Sequence, residues 1–425
     1  MKRPTAVAVM TAAALTLTAC GAASDDPTGT DARTSTGPIT IWYSNNEQEV
    51  AWGEQAVATW NADHPDETVT AEEIPAGKSS EEVIGASIAA GNTPCLVYNT
   101  APAAVADFQQ QGGLVNLSQF EDGARYIEER SGDAAEQFAS EDGYFQMPWK
   151  SNPVVIFYNR ALFEQAGLDP DDPPLRTHQE LLDTSRALVD AGVSPYAIYP
   201  SPSSEYYQSW FDFYPFYAAE SGGRQLLADG EPTFTDEDAL TVAELWRTLY
   251  AEGLAGQEPY TGDAFVDGVS AMAVAGPWAV ASFADKVEWG TVPVPTSAGT
   301  DAEQTATFDD AKNIGMYTSC ENQATAWEFL KFTTSTEQDG RLLETTGQMP
   351  LRTDLAGTYA PYFAANPEYA AWSTGRTVAV PNTLDSTQIW QTFRDAWSRA
   401  VIFGDGDIAG TFDGAARTVA DLAQG

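Results

Sequence analysis

Over residues 39–113, apolar runs of strand length alternate with longer stretches of helical spacing. Ile39-Thr40-Ile41-Trp42-Tyr43 reads as a strand. Residues 45–64 read as a helix, with Trp52, Val57 and Trp60 at near-helical intervals. A strand over residues 68–74 and a helix over 79–90, stopped by Gly91, follow. Then come the short buried strand Cys95-Leu96-Val97-Tyr98 and a helix over 102–111, closed by Gly112-Gly113. This β-α-β-α-β rhythm predicts an α/β layered domain.

The alternation continues downstream. Residues 153–158 form an apolar strand, and Asn159 opens the next helix. A helix over 181–191 precedes a strand over 195–199, and residues 206–220 are strongly aromatic. Residues 240–252 are helical, with apolar positions at 242, 245, 246 and 249. A strand over 269–275 runs into Gly276-Pro277-Trp278. After Pro293 and Pro295 comes a polar loop, then a strand over 313–317 and a helix over 324–333. The rest is mostly helical, with a long segment at 388–402, and no internal repeat is apparent. A chain of 425 residues accommodates roughly two to three domains.

The N-terminus adds a compartment. Lys2 and Arg3 form a basic head, residues 6–17 carry no charge, and Leu17-Thr18-Ala19-Cys20-Gly21 puts small residues before a cysteine. The apolar run falls short of the roughly 20 residues a bilayer span needs. The stretch resembles the lipobox of bacterial lipoproteins. That resemblance implies a signal peptide over 1–19, lipidation of Cys20 and a lipid anchor at the extracytoplasmic face of the cell membrane. Residues 20–37, rich in Ser, Thr, Gly, Asp and Pro, read as a flexible tether. A buried N-terminal helix and a freely secreted form are the alternatives.

Charge narrows the partners. With 61 acidic and 21 basic residues the formal charge is -40, and losing Lys2 and Arg3 takes it to about -42. Such a field repels nucleic acid and anionic lipid, and disfavours an anionic ligand unless a local basic site overrides it. The 43% apolar content, with 12 Trp, 17 Tyr and 19 Phe, is enough to fill real cores. Beyond Cys20, Cys95 and Cys320 form an even pair in an exported chain. His64 and His178 stand apart in polar, proline-containing settings and read as surface residues. No metal-ligand spacing is present, and no cofactor is expected.

Several segments, in order over residues 38–425, resemble carbohydrate ABC importer solute-binding proteins of the maltose-binding-like extracellular family 1. They are Gly91-Asn92-Thr93-Pro94, Phe145-Gln146-Met147-Pro148-Trp149 with Val155-Ile156-Phe157-Tyr158-Asn159, and Ala271-Met272-Ala273-Val274-Ala275-Gly276-Pro277-Trp278. Ala326-Trp327-Glu328-Phe329-Leu330-Lys331-Phe332 and Gly347-Gln348-Met349-Pro350-Leu351-Arg352 complete the set. The resemblance implies a two-lobed, periplasmic-binding-protein-like α/β fold of type II, with the ligand cleft between lobes that close by hinge motion. The expected lobes are 38–148 plus 290–334 and 149–289 plus 335–425. The expected function is that of a monomeric, non-enzymatic importer component. It would bind a neutral di- or oligosaccharide and deliver it to the ABC permease. In this topology the strands at Cys95 and at 314–317 are antiparallel neighbours, which makes a Cys95–Cys320 disulfide plausible, two separate buried thiols being the alternative.

Sugar sites need flat rings for the apolar faces and short polar groups for the hydroxyl rim. The resemblance points to Trp278 as a stacking ring, a core Trp being the other reading. It also points to Asn46 and Glu47 at the end of the first strand, where Asn46 can equally cap a helix. Asn99 and Thr100 end the strand after Cys95. Maltose-binding members have Trp at the position of Asn99, a sugar-binding Asp at Pro102 and an acidic residue at Asn152, so the sugar or its orientation differs here. Trp149 sits where the lobes cross and could cover the cleft. Tyr206 and Trp210 are partial contacts from an aromatic run that must also feed the core. Arg352 either bonds the ligand or fixes the lobe edge. Asp385, Gln388 and Trp390 could close the cleft bottom. A binder of polyamines or peptides is the nearer alternative. A glycoside hydrolase needs two carboxylates roughly 5–9.5 Å apart, and candidate pairs among 61 acidic residues carry no information.

Overall fold

The computed structural model describes residues 32–423 except 45, 76–78 and 373–375. The signal segment, Cys20 and most of the tether lie outside the described residues. Among the described residues no helix is long and apolar enough to cross a membrane.

Two sheets organise the molecule. The first has six strands in the order Met349–Pro350, Met147–Ser151, Lys312–Met316, Leu96–Thr100, Ile39–Tyr43, Val69–Glu73. Ile39–Tyr43 pairs in parallel with both Val69–Glu73 and Leu96–Thr100. Lys312–Met316 runs antiparallel to Leu96–Thr100, with Met316 opposite Leu96, as expected. The helix Glu47–Asp63 covers this sheet through Trp52, Ala56 and Trp60. The helix Ser80–Ala90 is capped by Ser79 and ends at Gly91, whose φ of 67° suits a residue without Cβ. Cys95 and Cys320 form a disulfide, with Cα atoms 4.5 Å apart.

The second sheet has four strands in the order Trp289–Val292, Val155–Asn159, Ser270–Ala275, Tyr196–Ile198. The apolar run at 155–158 is buried on both faces. Ile156 and Tyr158 join a core with Phe213, Trp246, Phe393 and Phe412, while Val155 and Phe157 meet Phe265, Phe283 and Trp372. Alternation along the strand produces this split.

The pairing redraws the expected lobe boundaries. Trp149–Ser151 and Met349–Pro350 belong to the first sheet, and Trp289–Val292 to the second. The helix Thr336–Thr346 packs on Glu47–Asp63, where Trp52 Nε1 donates to the Gln338 carbonyl at 3.3 Å. Hydrophobic periodicity defines an element without naming its partner sheet, and the chain changes sheets within elements that look continuous in sequence.

Two crossings sit side by side between the sheets, at 152–154 and 309–311. The Val154 amide donates to the Phe308 carbonyl and the Asp310 amide to that of Asn152. The Asp309 carboxylate accepts from Ser151 Oγ at 2.7 Å and from the Asn152 amide at 2.6 Å. This hinge is therefore tied by one buried carboxylate that bonds both side chain and backbone of the opposite crossing. Beside it in the first sheet lies a buried polar set. Glu49 pairs with Lys150 and accepts from Gln348 Nε2 at 2.7 Å and Ser44 Oγ at 2.5 Å.

Candidate functional site

The carboxyl ends of Ile39–Tyr43 and Leu96–Thr100 feed the junction between the sheets, where open α/β sheets place ligands. After Thr100 the chain turns into the other lobe's core. Ala101 and Ala103 are buried in the same cluster as Trp210 and Trp390. Asn99, half-buried at the strand end, adopts φ 64°, a conformation for which Asn is among the more tolerant side chains.

Charged groups meet aromatic rings here. Tyr206 OH donates to Glu81 Oε2 at 2.9 Å, joining the two lobes. Burial and then Glu81 hold the Tyr206 hydroxyl far above its usual pKa, so it stays a donor. Lys312 Nζ lies 2.8 Å from Asp310 Oδ1 and 5.9 Å from the Trp210 ring centroid. Burial works against the Lys312 ammonium, but Asp310, Glu81 and Glu49 outweigh it and raise its pKa.

The rings on the second-lobe side come from the aromatic run and the Gly276-Pro277-Trp278 turn. Trp278 is half-buried and packs edge-to-face on Phe211 at 5.8 Å, and Phe211 is also partly exposed. Gly276 is required for this placement. A Cβ there would lie 2.1 Å from the Trp278 ring. The result is a fixed aromatic pair with accessible surface, and the ring of Trp210, next to Phe211 in the chain, lies 5.9 Å from the Lys312 ammonium. That arrangement suits a hydroxylated solute with apolar faces.

The residues singled out from sequence fall into two groups. Asn46 caps its helix, its Oδ1 accepting from the Gln48 and Glu49 amides at 3.1 and 3.0 Å, and Glu47 is exposed beside it. Asn99, Tyr206, Trp210 and Trp278 come to the junction, the middle two 4% exposed. Asp385 and Gln388 line a groove of 460 Å³ between the lobes with Glu82, Asp107, Glu205 and Tyr206.

The others are structural. Trp149 does not cover the cleft. It is 0% exposed and packs against Trp52 and Tyr98 inside the first lobe. Trp390 is likewise interior, edge-on to Trp210 and Tyr214. Asn152 is buried in the hinge, its Nδ2 donating to the Asp310 carbonyl at 3.2 Å. Thr100 is buried as well. Arg352 fixes the lobe edge. It donates to Asp339 Oδ2 and the Thr334 carbonyl, both at 2.8 Å, alongside Arg130, which also binds Asp339. His178 is buried rather than at the surface, its Nε2 3.7 Å from Glu220.

Sequence reasoning missed Glu81, Lys312 and Phe211. Glu81 is one of 61 acidic residues and carries no local mark. Lys312 had a usable signal: a rare basic residue directly before an apolar strand.

The profile of the bacterial extracellular solute-binding protein family matches residues 44–340, well over half of the chain. The chain belongs to this family. It is therefore a binding protein that works outside the cytoplasm. Among curated relatives, the sn-glycerol-3-phosphate-binding periplasmic protein UgpB of Shigella flexneri serotype 5b is 29% identical over 171 residues, and that of Escherichia coli K12 is 28% identical. The matched segment covers 36% of this chain and 36% of the Shigella protein, so the chain spans about a third of the length of these relatives. A Thermotoga lettingae ABC transporter solute-binding protein bound with α-D-tagatose matches with TM-score 0.77 and 21% identity, over 91% of this chain and all of that one. The Streptomyces glaucescens GacH receptor, solved unliganded and with acarbose, matches at 0.77 and 21%, over 92% and 99%. These solved structures establish the two-lobed fold.

Proposed function

We propose that this family member is the solute-binding component of an ABC importer, tethered to the membrane by a lipid on Cys20. It takes a neutral di- or oligosaccharide between its lobes and hands it to the permease. The observation that carries the ligand class is the partly exposed Trp278–Phe211 pair, together with Trp210, the chain neighbour of Phe211, whose ring lies 5.9 Å from the Lys312 ammonium. Rings supply the stacking face, and the polar groups answer the hydroxyl rim. The solved neighbours whose descriptions name tagatose and acarbose support a carbohydrate ligand.

The names of the curated relatives suggest a second reading, sn-glycerol 3-phosphate. The charge at the junction weighs against it. Lys312 is already paired with Asp310, and Glu81 stands close by. A phosphate dianion entering there meets a neutralised ammonium and further carboxylates.

The test is thermal stabilisation by a panel of neutral mono-, di- and oligosaccharides, sn-glycerol 3-phosphate, polyamines and peptides. A ligand that binds only the folded state raises the melting temperature. A shift with a neutral saccharide is expected, and a shift confined to the phosphate, amines or peptides overturns the ligand class. Trp278→Ala is expected to weaken the active saccharide about tenfold, as loss of one stacking ring implies. Isothermal titration checks this, and an unchanged Kd would remove Trp278 from the site.

A further inference from the structure

The lobes touch directly along one side of the cleft, through groups that no bound solute is needed to bridge. Asn382 Oδ1, from the loop before the helix Ser386–Trp397, accepts from the Ala106 amide of the first lobe at 2.9 Å. The Asp385 amide donates to Asp107 Oδ1, also at 2.9 Å. Asp385 holds φ at 55°, a left-handed conformation uncommon for a residue with a side chain, and this turn directs its amide at the opposite lobe. Beneath these bonds, Ala101 and Ala103 are buried in one cluster with Ile389 and Trp390. The Tyr206–Glu81 bond lies along the same junction.

We propose that the loop at Pro381–Asp385 is a latch that holds the lobes together without ligand, with Asn382 and Asp107 as its positioning residues. Where the resemblance places a sugar-binding Asp, this chain has Pro102, and its neighbours Ala101 and Ala103 pack against the other lobe. That end of the cleft is therefore occupied by protein. The latch sets how much of the free protein is closed, and through that fraction it sets apparent affinity. The affinity effect rests on the solute-binding function proposed above, while the closure itself does not.

Asn382 is exposed and Asp107 half-buried, and neither belongs to a hydrophobic cluster, so their removal leaves both cores intact. In the double variant Asn382→Ala with Asp107→Ala, two interlobe hydrogen bonds are gone. Small-angle X-ray scattering of the ligand-free mature protein is expected to show a larger radius of gyration than the parent, with the melting temperature lowered by no more than about 5 °C. Asp107→Asn, whose amide oxygen still accepts from Asp385, is expected to scatter like the parent. For the saccharide found by the panel, Kd is expected to rise about tenfold, from two bonds of ordinary net strength. The change should fall mainly in the dissociation rate.

Superimposable scattering curves for parent and double variant overturn the latch, and so does an increase in size accompanied by loss of the cooperative thermal transition. If the parent binds no saccharide, the ligand class fails, while scattering still decides the latch.

Discussion

Replacing Cys95 and Cys320 with alanine is expected to lower the melting temperature by about 10 °C. The bond spans 225 sequence positions and joins two adjacent strands' ends in the first lobe. Between those two cysteines the chain leaves the lobe, builds the whole second sheet and comes back. In the unfolded chain nothing else holds the ends of that excursion together. Chain entropy for a loop of this length gives about 5 kcal/mol of stabilisation, and a large domain loses roughly 2–4 °C per kcal/mol. Alanine leaves no buried hydroxyl at either position, both of which are nearly inaccessible. Calorimetry of the double variant, and of the parent with and without reductant, measures the effect. A melting temperature unmoved by both would mean that the cross-link does not constrain the unfolded state.

The pairing of those two cysteines follows from the strand order that the family resemblance implies, and the structure places them as that order requires. The first half of the fold was legible for a related reason. Ile39–Tyr43, Leu96–Thr100 and the helices between them alternate locally, and each parallel strand pairs with a near neighbour in sequence. Returning segments are harder to read. Met147–Ser151 hides a buried lysine, Lys150, whose partner Glu49 is 101 positions away. No local pattern marks such a residue as interior, so the strand reads as a linker between lobes. The helix Thr336–Thr346 has a regular amphipathic pattern, but that pattern does not say which lobe it covers.

The same limit governs the site. A tryptophan that stacks on a sugar and one that fills a core are identical in sequence. Trp149 and Trp390 are interior, and Trp278 keeps accessible surface only because Gly276 leaves room for its ring. Arg352 matched a motif, and its partners Asp339 and Thr334 turned out to be intramolecular. Accessibility, which composition does not encode, separates Trp278 from Trp149 and Trp390.

The hinge carboxylate yields the second large effect. Asp309→Asn is expected to stabilise the protein by about 2–3 kcal/mol at pH 8 and to leave it unchanged at pH 4. Burial pushes the Asp309 carboxyl up from 3.8 to about 6. Asp310 adds to the rise, while Ser151, the Asn152 amide and Lys312 oppose it. The folded state thus holds this proton more tightly than the unfolded chain does. The stability linked to it is fully present below the unfolded value and is lost as pH climbs through about 6. A shift of about two units is worth about 3 kcal/mol at most. Asparagine has no charge to desolvate, and its oxygen and amide can serve the Asn152 amide and Ser151 Oγ in turn. Melting temperatures of both proteins between pH 4 and 8 should therefore diverge across that interval, with the variant flatter. If the variant is instead the less stable protein at pH 8, the ionised carboxylate is what holds the two crossings together, and its bonds outweigh its burial.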